Sequence, residues 1–261
     1  MDLGLHGKHI LITGGTRGIG LACARLYLQE GARVTLGGRS AASGDAALAA
    51  LEGAGPVVIR LADLADADAA RRMVEQIEQE QGAVDVLVNC AGAAARRPFA
   101  ELDPAAWRAA IDAKFYPYLH VIDPVVKRMA ERGQGVIVNV IGMGGKFPRP
   151  THLAGGSANA ALMLATAGLA LAYAPRGIRV NAVNPSLTAT DRLAEGLAAE
   201  ARQRGITQQE ALRQAASNMP LGRIATAEEI ADAVVYLSSA RASYISGAIL
   251  NVDGAHGAAV V

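Results

Sequence analysis

This sequence of 261 residues has only two cysteines, a net charge of +1 and few long apolar runs. Its two cysteines, Cys23 and Cys90, belong to no metal-ligand pattern, so we expect no metal site and reduced thiols in a cytoplasmic protein. Lysine and arginine number 25 against 24 acidic residues, and this balance argues against nucleic acid and anionic membranes as partners.

We also expect no segment of the chain to cross a membrane. The N-terminus lacks the long apolar core of a signal peptide. The most apolar segment, 160–174, is alanine-rich, is too short for a membrane span and is ended by Pro175. We therefore expect a helix there that is buried or in contact with another subunit.

A glycine-rich stretch at 8–20 is the feature around which the rest is organised. A β-forming run at 10–13 leads into the turn GGTRGIG at 14–20, and an apolar-periodic segment follows. Glycine lets a ligand approach the backbone, and a helix N-terminus offers unpaired N–H groups to phosphate. We therefore expect nucleotide binding here, with a purely structural turn as the alternative. The predicted binding residues of this turn are Gly14, Thr16, Arg17, Gly18, Ile19 and Gly20.

Apolar runs typical of buried strands alternate with helix-like segments along the chain. This order is typical of a parallel sheet covered on both faces, so we predict a single doubly wound α/β domain over 1–261. Asp103 before Pro104, and Thr226 before Glu229, are predicted helix N-caps. Strands are predicted at 8–13, 32–37, 56–61, 84–89, 135–141, 177–183 and 247–252, and helices at 18–29, 41–52, 66–81, 104–131, 155–174 and 226–239.

The exit of the second predicted strand indicates which dinucleotide is bound. In such sheets ligands bind beyond the carboxyl ends of the strands, where an acid favours NAD and an arginine accommodates the 2′-phosphate of NADP. Arg39 stands there and Arg17 lies in the glycine turn, so we predict NADP(H), with NAD(H) less favoured. Two solvated surface arginines are the alternative. The strand exits add Ser40, Asp63, Leu64, Asn89, Ala91 and Gly92 to the predicted cofactor contacts.

These stretches resemble the short-chain dehydrogenases/reductases, and the resemblance covers essentially the whole chain. TGGTRGIG is similar to the cofactor turn of that family, NCAG at 89–92 to its NNAG motif, and 220–254 to its C-terminal signature. The resemblance implies a Rossmann-like sheet of seven strands in a homo-oligomer, a tetramer or a dimer. It also implies cofactor contacts at Pro185 and Thr190, within the stretch GIRVNAVNPSLTAT.

The same resemblance identifies four catalytic positions, and all four are substituted here. Reductases of the family carry an asparagine, a serine, and a tyrosine and a lysine four residues apart, with the tyrosine as acid/base. Alignment puts Lys114, Gly142, Gly155 and Asn159 at those positions, in that order. The phenol is lost outright, because Gly155 has nothing to titrate.

Lysine and asparagine have exchanged places in this alignment. We hypothesise that Lys114 delivers the ammonium of the pocket from the predicted helix 104–131, while Asn159 reaches the nicotinamide ribose. Desolvation and the charge of the oxidised nicotinamide would lower the pKa of such a lysine, which suits a general acid, an electrophile or an imine-forming amine. A surface lysine, misplaced by one position in the helix register, is the alternative.

Two further side chains near these positions carry chemistry. His152, three residues before Gly155, is predicted at the rim of the substrate pocket. There it replaces the missing acid or makes only a structural hydrogen bond. Ser157 does not fit the spacing of a nucleophile elbow, which argues against a hydrolase.

An insert at 191–219 is charged and rich in alanine, and its position resembles the substrate lid of the family. We predict two short helices there, broken at Gly205. Glutamates offset most of the charge of its arginines, Arg192 among them, which favours a solvated helix face over a surface for an acidic substrate. Subunit contacts are predicted on 104–131 and on 155–174, whose small residues permit close packing of helices.

The function predicted from the sequence is an NADP(H)-dependent oxidoreductase with a rebuilt acid/base apparatus, acting on a small carbonyl or imine compound. An iminium carries positive charge already and needs less proton donation, which would relieve the missing tyrosine. Two alternatives stay open. One is an NADP-binding regulator or assembly protein without turnover, and the other is a non-redox lyase or isomerase that uses Lys114 or His152.

Overall fold

Strands and helices alternate through the computed structural model, which describes residues 2–257; the two ends of the predicted span 1–261 lie outside them. The strands are β1 (His9–Thr13), β2 (Arg33–Gly38), β3 (Val57–Leu61), β4 (Val86–Asn89), β5 (Gly135–Val140), β6 (Ile178–Pro185), β7 (Thr188–Ala189), β8 (Ala225–Thr226) and β9 (Ile249–Val252). The α-helices are α1 (Gly18–Gln29), α2 (Ala41–Ala50), α3 (Ala67–Gln81), α4 (Pro104–Lys114), α5 (Tyr116–Arg132), α6 (Leu153–Tyr173), α7 (Asp191–Arg204), α8 (Gln208–Ser217) and α9 (Ala227–Ser238).

One parallel sheet of seven strands runs through the molecule, in the order β3-β2-β1-β4-β5-β6-β9. The strand order reverses at the pair β1–β4, whose register runs from Ile10 opposite Val86 to Thr13 opposite Asn89. The predicted doubly wound, seven-stranded α/β fold is therefore confirmed. The carboxyl ends of β1 and β4 mark the crevice where such sheets bind ligands. The short strands β7 and β8 pair with each other in a separate sheet, which the sequence did not predict.

Helices cover both faces of the sheet because successive side chains of each strand point to opposite sides. Ile10 and Ile12 of β1 pack in the layer formed with α1 and α9, whereas Leu11 packs in the layer formed with α3, α5 and α6. All three side chains are fully buried. This burial on both faces explains why the predicted strands are almost continuously apolar.

The prediction of one helix at 104–131 was wrong, since the structure divides this segment in two. Helix α4 ends at Lys114 and α5 begins at Tyr116, with Pro117 in the first turn of α5, where its missing N–H costs nothing. Pro124 lies inside α5 without ending it. The break leaves Lys114 at the C-terminal end of α4, where the helix dipole favours a cation.

Both predicted N-caps are confirmed. Asp103 Oδ1 accepts a hydrogen bond of 2.7 Å from Ala106 N, with Pro104 as the first helical residue. Thr226 and Glu229 form a capping box, in which Glu229 N donates to Thr226 Oγ1 and Thr226 N donates to Glu229 Oε2. Local sequence therefore fixes where α4 and α9 begin.

Helix α6 is longer than the apolar segment from which it was predicted. Together with the short turn that follows, it runs from Leu153 to Arg176, and this helix, unlike the shorter segment 160–174, is long and apolar enough by composition alone to cross a membrane. In the structure it packs on α4 and β6. Leu164 and Leu171 are 77% and 82% exposed on its outer side. Helix α6 thus packs on the rest of the protein through one face. Its other face, which carries Leu164 and Leu171, remains a predicted subunit contact.

Candidate active site

A cleft of about 860 Å³ opens at the carboxyl ends of the strands around β1, β2 and β4. Gly14 has φ +65° there, and a Cβ on it would lie 2.8 Å from Ala91 Cα, so glycine alone lets the turn pass the exit of β4. Gly92 has φ +84°, and a Cβ on it would overlap the carbonyl of Ala113. The cleft brings together most of the cofactor residues predicted from the sequence, namely Gly14, Thr16, Arg17, Gly18, Ile19, Gly20, Arg39, Ser40, Asp63, Leu64, Ala91, Gly92 and Thr190.

Three other predicted cofactor residues, Asn89, Pro185 and Asn159, do not belong to the lining of this cleft. Asn89 is fully buried, accepts a hydrogen bond of 3.1 Å from Thr13 Oγ1 and donates one of 3.0 Å to Asn139 Oδ1. Its side chain thus joins the ends of β1, β4 and β5 and supports the cleft from below. Pro185 is half-buried at the end of β6.

The chemistry of the cleft fits NADP(H). In the described chain no side chain caps the N-terminus of α1, so its first N–H groups are left for a phosphate. Arg17 and Arg39 both line the cleft, and Gly38 ends β2 where an acid would bind ribose hydroxyls. Two guanidinium groups, with glycine in place of that acid, suit a 2′-phosphate.

Gly142, at the serine position of the resembled family, has a backbone conformation that favours glycine. Its φ is +127°, which L side chains rarely adopt. Its N–H donates to Asn184 Oδ1 at 3.2 Å, and its carbonyl accepts a long hydrogen bond of 3.5 Å from Asn159 Nδ2.

His152 fills the space next to Gly155, where the resembled family has its tyrosine. A Cβ on Gly155 would overlap the imidazole, lying 2.8 Å from each ring nitrogen. Nδ1 of His152 is buried and has no hydrogen-bond partner within residues 2–257. Burial lowers the pKa of His152, and nearby cations lower it further, so the ring is neutral at pH 7. These cations are Arg96, Arg192, Lys114 and Arg149, in order of effect.

Lys114 lies behind the cleft wall and is only 8% exposed, which excludes a solvated surface lysine. Its Nζ donates to Tyr118 Oη at 2.8 Å and to the carbonyl of Val140 at 3.3 Å, and it lies 4.5 Å from the centroid of the Tyr118 ring. The phenol donates to the same carbonyl at 2.5 Å. Burial lowers the pKa of Lys114 from 10.5 to about 7, so at neutral pH the amine is close to half protonated.

Tyr118 was missed by the sequence analysis. It is fully buried, one helical turn beyond Lys114, and its hydroxyl is the nearest hydrogen-bond partner of the amine. Residues four apart share a helix face, so the spacing of Lys114 and Tyr118 was the available signal. The signal was weak, because the chain changes helix at Phe115 between them.

The lid insert has the two predicted helices, α7 and α8, with Gly205 at φ +66° between them. Leu197, Ala201 and Ala211 form a small apolar cluster that holds the two helices together. Arg192 is exposed, which agrees with the predicted solvated face. It also lines the cleft, and its Nη2 makes a long contact of 3.5 Å with the carbonyl of Ala94.

Comparison with known proteins identifies the family. A family described as enoyl-(acyl carrier protein) reductase matches residues 14–256. A 3alpha-hydroxysteroid dehydrogenase of Mediterraneibacter gnavus is 33% identical over 258 residues, which cover 98% of this chain and 99% of the relative. The chain belongs to the short-chain dehydrogenase/reductase family.

Two further members of the short-chain dehydrogenase/reductase family show how widely the likeness extends. A cis-4-hydroxycyclohexanecarboxylate dehydrogenase of Sinomonas cyclohexanicum is 34% identical over 247 residues, covering 94% of this chain and 95% of the relative. The L-sorbose reductase of Gluconobacter frateurii, solved with NADPH and L-sorbose, has a TM-score of 0.94 and 28% identity over 100% of both chains. The likeness therefore spans the substrate half of the fold as well as the nucleotide half.

In this short-chain dehydrogenase/reductase the lining of the cleft contains the glycine turn and the start of α1. Lys114, Gly142, His152 and Gly155 lie outside that lining, and the charge of Lys114 acts on His152. An amine with a pKa of about 7 can give or take a proton at physiological pH, which a catalyst of carbonyl chemistry requires.

Proposed function

We propose that this protein is an NADP(H)-dependent oxidoreductase that acts on a small carbonyl or imine compound through a non-standard active site. The observation that carries the proposal is Lys114, a buried amine behind the cleft wall with a pKa near neutrality. Lys114 aligns with the asparagine of the family. Gly155 aligns with the tyrosine of the family, so the titratable phenol is lost there. The reaction class is that of the family, and the source of the proton is different.

The cofactor is held by the nucleotide half of the cleft. The N–H groups at the start of α1 would hold the pyrophosphate, and Arg17 and Arg39 would hold the 2′-phosphate. When bound, NADPH would supply the hydride for the carbonyl or imine carbon. Asn159 uses one N–H on the Gly142 carbonyl, which leaves its oxygen for the ribose hydroxyls.

Lys114 supplies the proton that the substrate oxygen or nitrogen takes up. Two of the three N–H groups of its ammonium donate to Tyr118 Oη and to the Val140 carbonyl, so one is left for a partner at the cleft. The Tyr118 phenol keeps the amine oriented, because it is itself fixed on the same carbonyl. His152 is the weaker candidate acid, since its lowered pKa leaves it neutral at pH 7.

The proposed NADPH-dependent reduction is tested with a panel of carbonyl and imine compounds. NADPH consumption by the purified full chain identifies a substrate, and binding of NADPH is followed separately by its fluorescence. The proposal expects both binding and consumption. Binding without consumption across the panel would favour the second candidate, a regulator or assembly protein, which the loss of hydroxyl and phenol at Gly142 and Gly155 also supports. Substrate conversion without NADPH consumption would indicate a lyase or isomerase.

Arg39→Gln is expected to weaken NADPH binding by about 10–100-fold, the loss typical of one hydrogen-bonded charge pair, while NADH binding changes by less than about twofold. The reason is that only NADPH carries the 2′-phosphate. Fluorescence titration with both cofactors measures this. Arg25→Gln is the matched control, because Arg25 bonds to the carbonyl of Ala50 and does not line the cleft. Equal weakening for both cofactors would contradict the assignment of Arg39.

Cys90 is expected to react with N-ethylmaleimide, since it is half-buried in the cleft wall, whereas Cys23 is fully buried. NADPH at ten times its Kd should slow this labelling about tenfold by occupying the cleft. Mass spectrometry of the labelled peptides measures it, with Cys90→Ala as the control that takes up no reagent. Labelling that NADPH does not slow would argue against nucleotide binding in this cleft.

The protein is proposed to be a homo-oligomer through the outer face of α6. Leu164 and Leu171 are its exposed large apolar side chains, and the small residues beside them permit close packing of a second helix. Sedimentation of the full chain measures the oligomeric state. A monomer at micromolar concentration would contradict this part of the proposal.

A further inference from the structure

Three exposed arginines from three separate segments lie near enough to His152 for their charges to act on it. Arg96 lies in the loop after β4, Arg149 in the segment before α6, and Arg192 in the first turn of α7. The charges of all three act on the imidazole. The segments are joined directly, because Arg97 N donates to the carbonyl of Thr151 at 2.9 Å and Arg192 Nη2 contacts the carbonyl of Ala94.

None of these three arginines makes a salt bridge with a carboxylate in the described part of the chain. Arg149 Nη2 instead contacts Nε2 of His256, at 2.5 Å. Glu195 lies near enough to affect Arg192 without pairing with it. Elsewhere the protein does pair its arginines, as Arg223 with Glu229 shows. These three guanidinium groups thus have no salt-bridge partner among the described residues.

The carboxylates of the cleft do not change this conclusion. Asp63, Asp112 and Asp191 line it, and none of them is an ion-pair partner of a described arginine. Asp253, near His256, accepts hydrogen bonds from the N–H groups of Ala255 and Gly257. The cofactor phosphates are accounted for by α1 and by Arg17 and Arg39, on other segments.

We propose that Arg96, Arg149 and Arg192, together with His152, bind an oxyanion of the substrate, a carboxylate or a phosphate carried by the carbonyl compound. This rests on the proposed function, because it names the substrate class of the same cleft. Guanidinium groups bind such oxyanions through paired N–H donors. His152 Nδ1 is the buried group without a partner, and its proton uptake is favoured once an anion offsets the surrounding charge.

The same cluster selects between the two reacting groups of the proposed function. A cationic iminium without an acid group would face the ammonium of Lys114 and three guanidinium groups, which repel it. A neutral carbonyl group with an anion elsewhere in the molecule meets no such repulsion. The anion also determines which end of the substrate faces Lys114.

The test uses the full chain with and without NADP⁺ and follows the imidazole signal of His152 by NMR, identified by its loss in His152→Gln. The probes are 4-oxopentanoate and dihydroxyacetone phosphate, each against its uncharged counterpart, 4-oxopentanamide and dihydroxyacetone. We expect one or both anions to raise the pKa of His152 and to bind about tenfold or more tightly than their counterparts. The anion that binds more tightly shows whether the site prefers a carboxylate or a phosphate.

Arg96→Gln combined with Arg149→Gln is expected to abolish that preference, whereas Arg71→Gln, which removes an exposed arginine paired with Asp68, retains it. Should the double variant fail to fold, added sodium chloride must weaken anion binding to the natural chain and leave binding of the uncharged counterparts unchanged. Equal binding of charged and uncharged probes overturns the inference. Failure of NADP⁺ to bind, with anion binding intact, overturns the proposed function and leaves the anion site standing.

Discussion

Lys114→Met is expected to lose about 10²–10³-fold in kcat/KM, the loss typical of removing a general acid. Methionine keeps the length and the apolar stem of the side chain, so NADPH binding should stay within about twofold of the natural protein. In the natural protein kcat/KM should fall as the pH rises through about 7, because the ammonium of Lys114 must be protonated to donate. NADPH consumption at a series of pH values measures both effects.

Two further variants control this result. Lys127→Met removes an exposed lysine paired with Asp123 on α5 and should leave the activity and its pH profile unchanged. Tyr118→Phe keeps the ring and removes the hydroxyl that orients the amine, so it should lower kcat and shift the pH profile while Lys114 remains. A Lys114→Met enzyme with the pH profile of the natural protein would rule out Lys114 as the proton donor.

Lys114 alone is expected to raise the free energy of unfolding by up to about 4 kcal/mol between pH 7 and pH 10. The folded state binds its proton with a pKa of about 7 and the unfolded state with one of 10.5, so between these values the unfolded state holds more protons. Stability therefore increases with pH across this window. The cost of the buried ammonium is fully present below the folded pKa and is gone above the unfolded one.

The measurement is urea unfolding of the natural protein and of Lys114→Met at each pH, with the difference taken between them. Burial raises the pKa of Tyr27 and Tyr118, which acts in the opposite direction near pH 10, and taking the difference removes the part common to both proteins. Lys127→Met should show no such pH-dependent difference. A difference that stays constant from pH 7 to pH 10 would show that the amine of Lys114 is solvated.

The parts of the structure that sequence predicts well are those fixed by neighbouring residues. The glycine turn at 14–20 predicts a strand, a tight turn and a helix because Gly14 and Gly18 have positive φ and a Cβ on Gly20 would overlap the carbonyl of Gly14. The caps are local too, since the side chains of Asp103 and Thr226 accept hydrogen bonds from backbone N–H groups three residues further on. The apolar runs give the strands, since two-sided burial leaves no polar face.

The substrate half depends on contacts between distant segments, and sequence predicts it less well. Alignment identifies Lys114 and Asn159, but not that the amine bonds to the carbonyl of Val140, 26 residues further along the chain. Nothing local indicates that the His152 ring fills the space beside Gly155. The arginine cluster is equally hidden, because its three members come from three segments that meet only in the folded protein.

The proposed exchange of lysine and asparagine concerns two buried side chains with different partners. Lys114 is held by Tyr118 and a strand carbonyl, whereas Asn159 contacts the carbonyl of Gly142 at positive φ. Because Gly142 has φ +127°, Gly142→Ser is expected to introduce strain.

The most direct test of the account is transfer of deuterium from NADPH deuterated at C4, with the anionic carbonyl compounds as acceptors and the product analysed by mass spectrometry. We expect the natural protein to deliver one deuterium to the carbonyl carbon, and Lys114→Met to bind the same cofactor with little or no transfer. Undiminished transfer by Lys114→Met, or firm NADPH binding with no transfer by the natural protein, would contradict the claim that Lys114 has taken over the chemistry of the missing tyrosine.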